Sequence, residues 1–152
     1  MTLLISMPGG TEWILILLAF GLLQIIPIIF YLITLQSTLS TISIENRKMP
    51  SGNVWLLLIP LFGTVWHFIV VNKLASSIKA EGDSLSIKLE EQKPGYNIGL
   101  AMCILNCLFI IPGVNVLTSI AGLVCWIIYW VKISSYKNIL LMGRYNTIGT
   151  NS

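Results

Sequence analysis

A chain of 152 residues with 55% hydrophobic and only 10% charged side chains lacks the polar material to cover a water-soluble globule, in which about a quarter of residues are charged. Its formal charge of +3, scattered over connecting segments, excludes a nucleic-acid surface, and a mean hydropathy of +0.84 makes lipid the natural solvent of its apolar faces. The three cysteines, Cys103, Cys107 and Cys125, all fall in apolar runs, which argues against a disulfide framework.

The first predicted span is 13–35, where Gln24, Tyr31 and Thr34 are the polar interruptions and Pro27 is expected to kink the helix. Beyond it Leu35, Leu39 and Ile42 form an amphipathic stripe that stops near Glu45-Asn46-Arg47-Lys48, before a turn around Pro50 and Gly52. The second predicted span, 54–71, carries Pro60 and Gly63 at its middle and His67 in its second half, so a kinked or partly unwound helix is expected. A polar loop, 72–95, follows, in which four lysines nearly balance four acids and Leu85 and Leu89 could lie on a membrane surface.

Between Asn97 and Val131 no side chain is charged. As one helix the 37 residues from Asn97 to Ile133 would run about 55 Å, against about 30 Å for a hydrocarbon core. A break at Pro112-Gly113 turns them into spans 96–111 and 115–133 joined by a tight turn. The tail, 134–152, is expected to fray. The fold class is therefore all-α: a polytopic membrane protein, a four-helix transmembrane bundle made of two hairpins, 13–71 and 96–133. An echo between Trp66, Lys73, Ser76-Ser77 and Trp126, Lys132, Ser134-Ser135 suggests a parallel repeat, with spans two and four running the same way.

Four spans place Arg47 and Lys48 on one side. On the other side lie the four lysines of 72–95 and the three cations Lys132, Lys137 and Arg144, so the charge rule predicts N-in and C-in.

Gly95, Gly99, Cys103 and Cys107 recur every four residues and line one helix ridge. Two cysteines at that spacing could form a soft-metal or redox site, but the glycines on the same ridge favour close helix packing, so no metal or cofactor is expected. His67 is the only histidine, and a titratable group inside a span is a functional candidate by default. No charged partner lies deep in any span to relay a proton, and a neutral histidine bonded to Gln24, Asn106 or Thr64 fits equally well. Gln24 and Asn106 could line a polar path or bond between helices. Arg47 and Lys48 could hold lipid headgroups or an acidic segment of a partner, or simply form a solvated turn. No phosphate-binding glycine loop, nucleophile–base pair or metal-spaced set is present, so the chain is not expected to be an enzyme.

The combination of Asn46-Arg47 and Met49-Pro50, then Val54-Trp55-Leu56-Leu57-Leu58-Ile59-Pro60-Leu61-Phe62, then Tyr129-Trp130 and Lys132, resembles small bacterial integral-membrane proteins of the Bacteroidetes type, classed as domains of unknown function. That resemblance implies an inner-membrane home and supplies no catalytic residues. The expected role is a non-enzymatic interaction or accessory subunit. Its partners would be the lipid bilayer and either further copies of itself or a larger membrane complex. The alternative is an oligomeric channel or small-solute transporter lined by Gln24, His67 and Asn106.

Overall fold

The computed structural model describes residues 10–108 and 115–149. Among them there are α1 (Gly10–Thr41), a 3-10 helix (Ser51–Leu58), α2 (Phe62–Ser84), α3 (Tyr96–Leu108) and α4 (Asn115–Gly149), with no strand. The chain divides into a unit ending at Tyr31 and a second running from Leu32.

Glu12 in the first turn of α1 complements the helix dipole, and the helix continues through Pro27 without ending there. In the N-terminal unit Trp13, Leu15, Leu17, Leu18, Leu22 and Leu23 are all exposed. In the second unit the last turns of α1 bury Leu32, Leu35 and Leu39, and Ile42 just past the helix end extends the stripe. Buried Thr38 returns its hydroxyl to the Thr34 carbonyl at 2.8 Å.

The predicted second span, 54–71, is not one rod. The 3-10 helix runs one way, the backbone reverses at Pro60-Leu61-Phe62, and α2 runs back beside it. Pro60 has no N–H to give to a helix, but its carbonyl accepts from Phe62 N at 2.7 Å, closing a three-residue turn. Leu61 takes the strained positive-φ conformation such a turn needs, φ 63 and ψ −54. The antiparallel register can be followed from the open end to the tip. Lys48 N donates to Ser77 Oγ at 2.9 Å, and Trp66 Nε1 donates to the Asn53 carbonyl at 2.9 Å. At the tip a Cβ on Gly63 would overlap the carbonyl oxygen of Leu57. Only a glycine lets the two arms close there.

α2 does not stop where the apolar run does. Gly63, Val70, Leu74, Ser77, Ile78 and Glu81 continue one buried face to the last turn, so most of the predicted loop 72–95 is helix and only 85–95 is irregular. In that shortened loop Leu89 packs its side chain against Gly82 rather than forming a separate surface stripe.

α3 and α4 pack antiparallel. Gly95 lies beside Ile133, Gly99 beside Tyr129, and Gly122 beside Leu105. The predicted break at Pro112-Gly113 lies outside the described residues; the helices on either side end at Leu108 and begin at Asn115. Within the predicted tail the described residues are helical. α4 continues to Gly149 because Tyr136 and Leu140 are buried, Gly143 packs on Ile87, and Arg144 reaches a buried acid.

Among the described residues the protein is thus all-α, with two helices, Glu12–Thr41 and Val116–Thr147, long and apolar enough to cross a membrane. Four were expected. The apolar stretch of α2 before Asn72 is too short to be a further one, and α3 as described ends at Leu108. A second difference concerns charge. The four-span arrangement set Arg47 and Lys48 apart from the other cations, whereas the Lys48–Ser77 bond draws them to the C-terminal half of α2.

Candidate functional site

The most densely bonded group in the described structure is Glu81, 1% exposed, in the last turn of α2. Its Oε2 accepts from Ser43 N at 3.1 Å, from Ser43 Oγ, and from Asn46 Nδ2 at 2.8 Å. Its Oε1 accepts from Arg144 Nη2 on α4. Asn46 extends the cluster by donating to Ser84 Oγ at 3.0 Å. Each element is placed by its own local chemistry. After α1 stops at Thr41, Arg47 turns back and donates to the Ile42 carbonyl at 2.9 Å and the Ser40 carbonyl at 3.3 Å, capping the helix end with a cation. That turn presents Ser43 and Asn46 to α2.

Burial by itself would push the Glu81 carboxyl up. The donors from Ser43, Asn46 and Arg144 outweigh it and hold the group below the usual carboxylate range. A carboxylate that is ionised, buried and saturated with donors cannot serve as a proton donor near neutral pH. It acts as a clasp joining the end of α1, the end of α2 and the end of α4.

A second acid meets α4 nearer its N-terminus. Glu91 pairs with Lys132 of α4 and accepts from Gly95 N at 2.7 Å. The Lys132 bond is the largest influence and lowers the Glu91 carboxyl, with burial opposing it. Gly95 sits at φ +73, a left-handed conformation suited to glycine, which turns the chain into α3. Beside this pair opens a cleft of about 440 Å³ with Lys88, Glu90, Lys132, Ser135 and Tyr136 among its lining residues.

The residues singled out from sequence are dispersed. Gly95, Gly99 and Cys103 of the small-residue ridge are buried, but Cys107 is exposed, so the two cysteines sit in different surroundings. The ridge is occupied by this chain's own helices. A Cβ on Gly99 would meet Val71 Cγ1 at 2.6 Å and Tyr129 Cε2 at 2.8 Å. Among the described residues no group of three or more His, Cys, Asp or Glu could hold a metal ion. His67 is half-buried on α2, while Gln24 and Asn106 are exposed on α1 and α3. Arg47 is committed to its helix cap, and Lys48 keeps an exposed side chain.

No protein family, curated protein or solved structure matches this chain.

Sequence reasoning missed Glu81, Ser43, Asn46 and Arg144 as a unit. A signal for Glu81 was present. It falls in phase with Val70, Leu74 and Ile78, so an acid was due on the buried face and required partners. Nothing in the linear order pointed to Arg144, which lies 63 residues away.

Proposed function

We propose that this is a small integral membrane protein that acts by association, with further copies of itself or with a larger membrane complex, and not by catalysis. The observation that carries this reading is the N-terminal unit. Trp13, Leu15, Leu18, Leu22, Ile26 and Phe30 expose large apolar side chains along successive turns, in a helix long enough to cross a bilayer. Lipid or other transmembrane helices are the natural neighbours of such a surface. Two amides mark where helices meet. Gln24 and Asn106 are exposed within otherwise apolar helix surfaces, and an amide in hydrocarbon gains by bonding to a neighbouring helix. In the second unit three acids are engaged with cations of the same chain, as in Glu81–Arg144, Glu91–Lys132 and Lys79–Asp83.

The same two amides supply the observation behind the transport alternative. Because both are exposed on a single chain, a path lined by them and by His67 would have to form between copies. Native mass measurement of the protein extracted in mild detergent tests the first reading: a defined oligomer or a stoichiometric partner is expected, and Gln24→Leu with Asn106→Leu should weaken it. A monomer without partners, together with solute flux in liposomes that falls on His67→Ala, would replace association by transport.

A further inference from the structure

The hairpin formed by the 3-10 helix and α2 is too short to cross a bilayer and too apolar at its tip to sit in water. Its first arm has eight residues, about 16 Å at roughly 2.0 Å per residue. The apolar part of its second arm, from Phe62 to Val71, has a similar length of about 15 Å by helical rise. Each arm reaches about half of a 30 Å hydrocarbon core. The tip residues Leu58, Ile59, Leu61 and Phe62 are all exposed, Leu61 at 87%, and none is charged. Both ends of the hairpin return to one level, fixed by the Lys48–Ser77 and Asn46–Glu81 bonds.

The distribution of cations is equally one-sided. All nine Lys and Arg residues lie from Arg47 onward, and no residue before Arg47 is basic. The α3–α4 hairpin opens and closes at the same end of the molecule, where Gly95 meets Ile133 and Glu91 meets Lys132. Whether that hairpin crosses the bilayer or dips into it, it adds an even number of crossings. The 3-10 hairpin adds none. α1 adds one.

We propose that the segment from Ser51 to Val71 is a re-entrant wedge that enters one leaflet and leaves on the same side, so that the N-terminus and the C-terminus face opposite sides of the membrane. All nine cations then gather on the C-terminal side, facing anionic headgroups, and the charge rule makes that side cytoplasmic. This N-out, C-in arrangement replaces the N-in, C-in expectation of four spans. It rests on the membrane reading above and goes beyond it by naming which surface meets which leaflet.

The test uses the full chain in bacterial inner membrane with epitope tags at the N-terminus, after Leu85, or at the C-terminus. In spheroplasts the N-terminal tag should be cut by external protease, while the other two should be cut only after lysis. N- and C-terminal tags on one side overturn the proposal. For the tip, Leu61→Cys in a chain carrying Cys103→Ser, Cys107→Ser and Cys125→Ser should react with an impermeant maleimide neither in spheroplasts nor in inverted vesicles. Labelling from either side places the tip in water and overturns the wedge. A true span over 54–71 is distinguished by the tags, since it would put the N- and C-terminal tags on one side. If that variant does not fold, the tags on the otherwise natural sequence decide. An alkaline wash separates the two levels of failure: release of the protein removes the membrane reading itself, whereas retention with co-sided tags removes the wedge alone.

Discussion

The hairpin from Ser51 through α2 and the hairpin of α3 with α4 begin from similar material. Each has an apolar run interrupted by proline near a glycine, and each second arm carries tryptophan, lysine and a pair of serines in that order. They fold into different objects. In the first, the break falls only a few residues after the run begins, so one arm is a short 3-10 helix and the reversal is a three-residue turn at Leu61. In the second, the arms on either side of residues 109–114 are longer, and α4 continues for 35 residues. The comparison teaches that the count of apolar residues does not by itself make a membrane span. What decides is how many residues stand on each side of the break, since each adds only about 1.5 Å of helix. The close contacts differ too. The first hairpin closes backbone against backbone at Gly63, whereas the second closes backbone against side chains at Gly99.

The largest effect is expected where the two hairpins are bolted together. Glu81→Ala strips four donors of their acceptor and leaves Arg144 without its partner, so unfolding in detergent, followed by circular dichroism, should lose about 3 kcal/mol. The acid arm of the same measurement has a definite sign. A carboxyl held below its ordinary value, about 4.3 for glutamate, contributes stability that is fully present above that pH. The contribution is lost as pH falls through the lower folded value. The midpoint should stay level from about pH 7 to 5 and drop below about 4, and Glu81→Gln should flatten that drop. Glu91 acts in the same direction but less, because it and Lys132 are each about one-third exposed and water screens the pair.

Next comes the backbone contact of the first hairpin. Gly63→Ala forces a methyl onto the Leu57 carbonyl, which can yield only by opening the turn, at about 2–3 kcal/mol. Gly99→Ala presses on the side chains of Val71 and Tyr129, which can shift, so about 1–2 kcal/mol is expected. A larger loss at Gly99 than at Gly63 would refute the distinction between the two closures. The smallest effect belongs to Gly122→Ala. Its Cβ would meet Leu105 Cβ at 3.7 Å, an ordinary contact, and the change should stay within about 0.5 kcal/mol of neutral as helix propensity offsets it.

The chain by itself determined the all-α class, the apolar α1, the existence of a helix on each side of Pro112-Gly113, and that no straight helix passes Pro60. These follow from local physics: apolar length, hydrophobic period, and a proline that removes a donor. The four-residue spacing of Gly95, Gly99, Cys103 and Cys107 could also be read directly, whereas which of them are covered, Cys107 being exposed, could not. Tertiary structure decided the rest. It folded 54–71 back on itself, extended α2 to Ser84 and α4 to Gly149, placed Val71 and Tyr129 on the ridge, and carried Arg144 to Glu81. Those outcomes depend on which side chains meet across dozens of residues. A buried carboxylate must find donors wherever the fold can bring them, and linear order does not encode that distance.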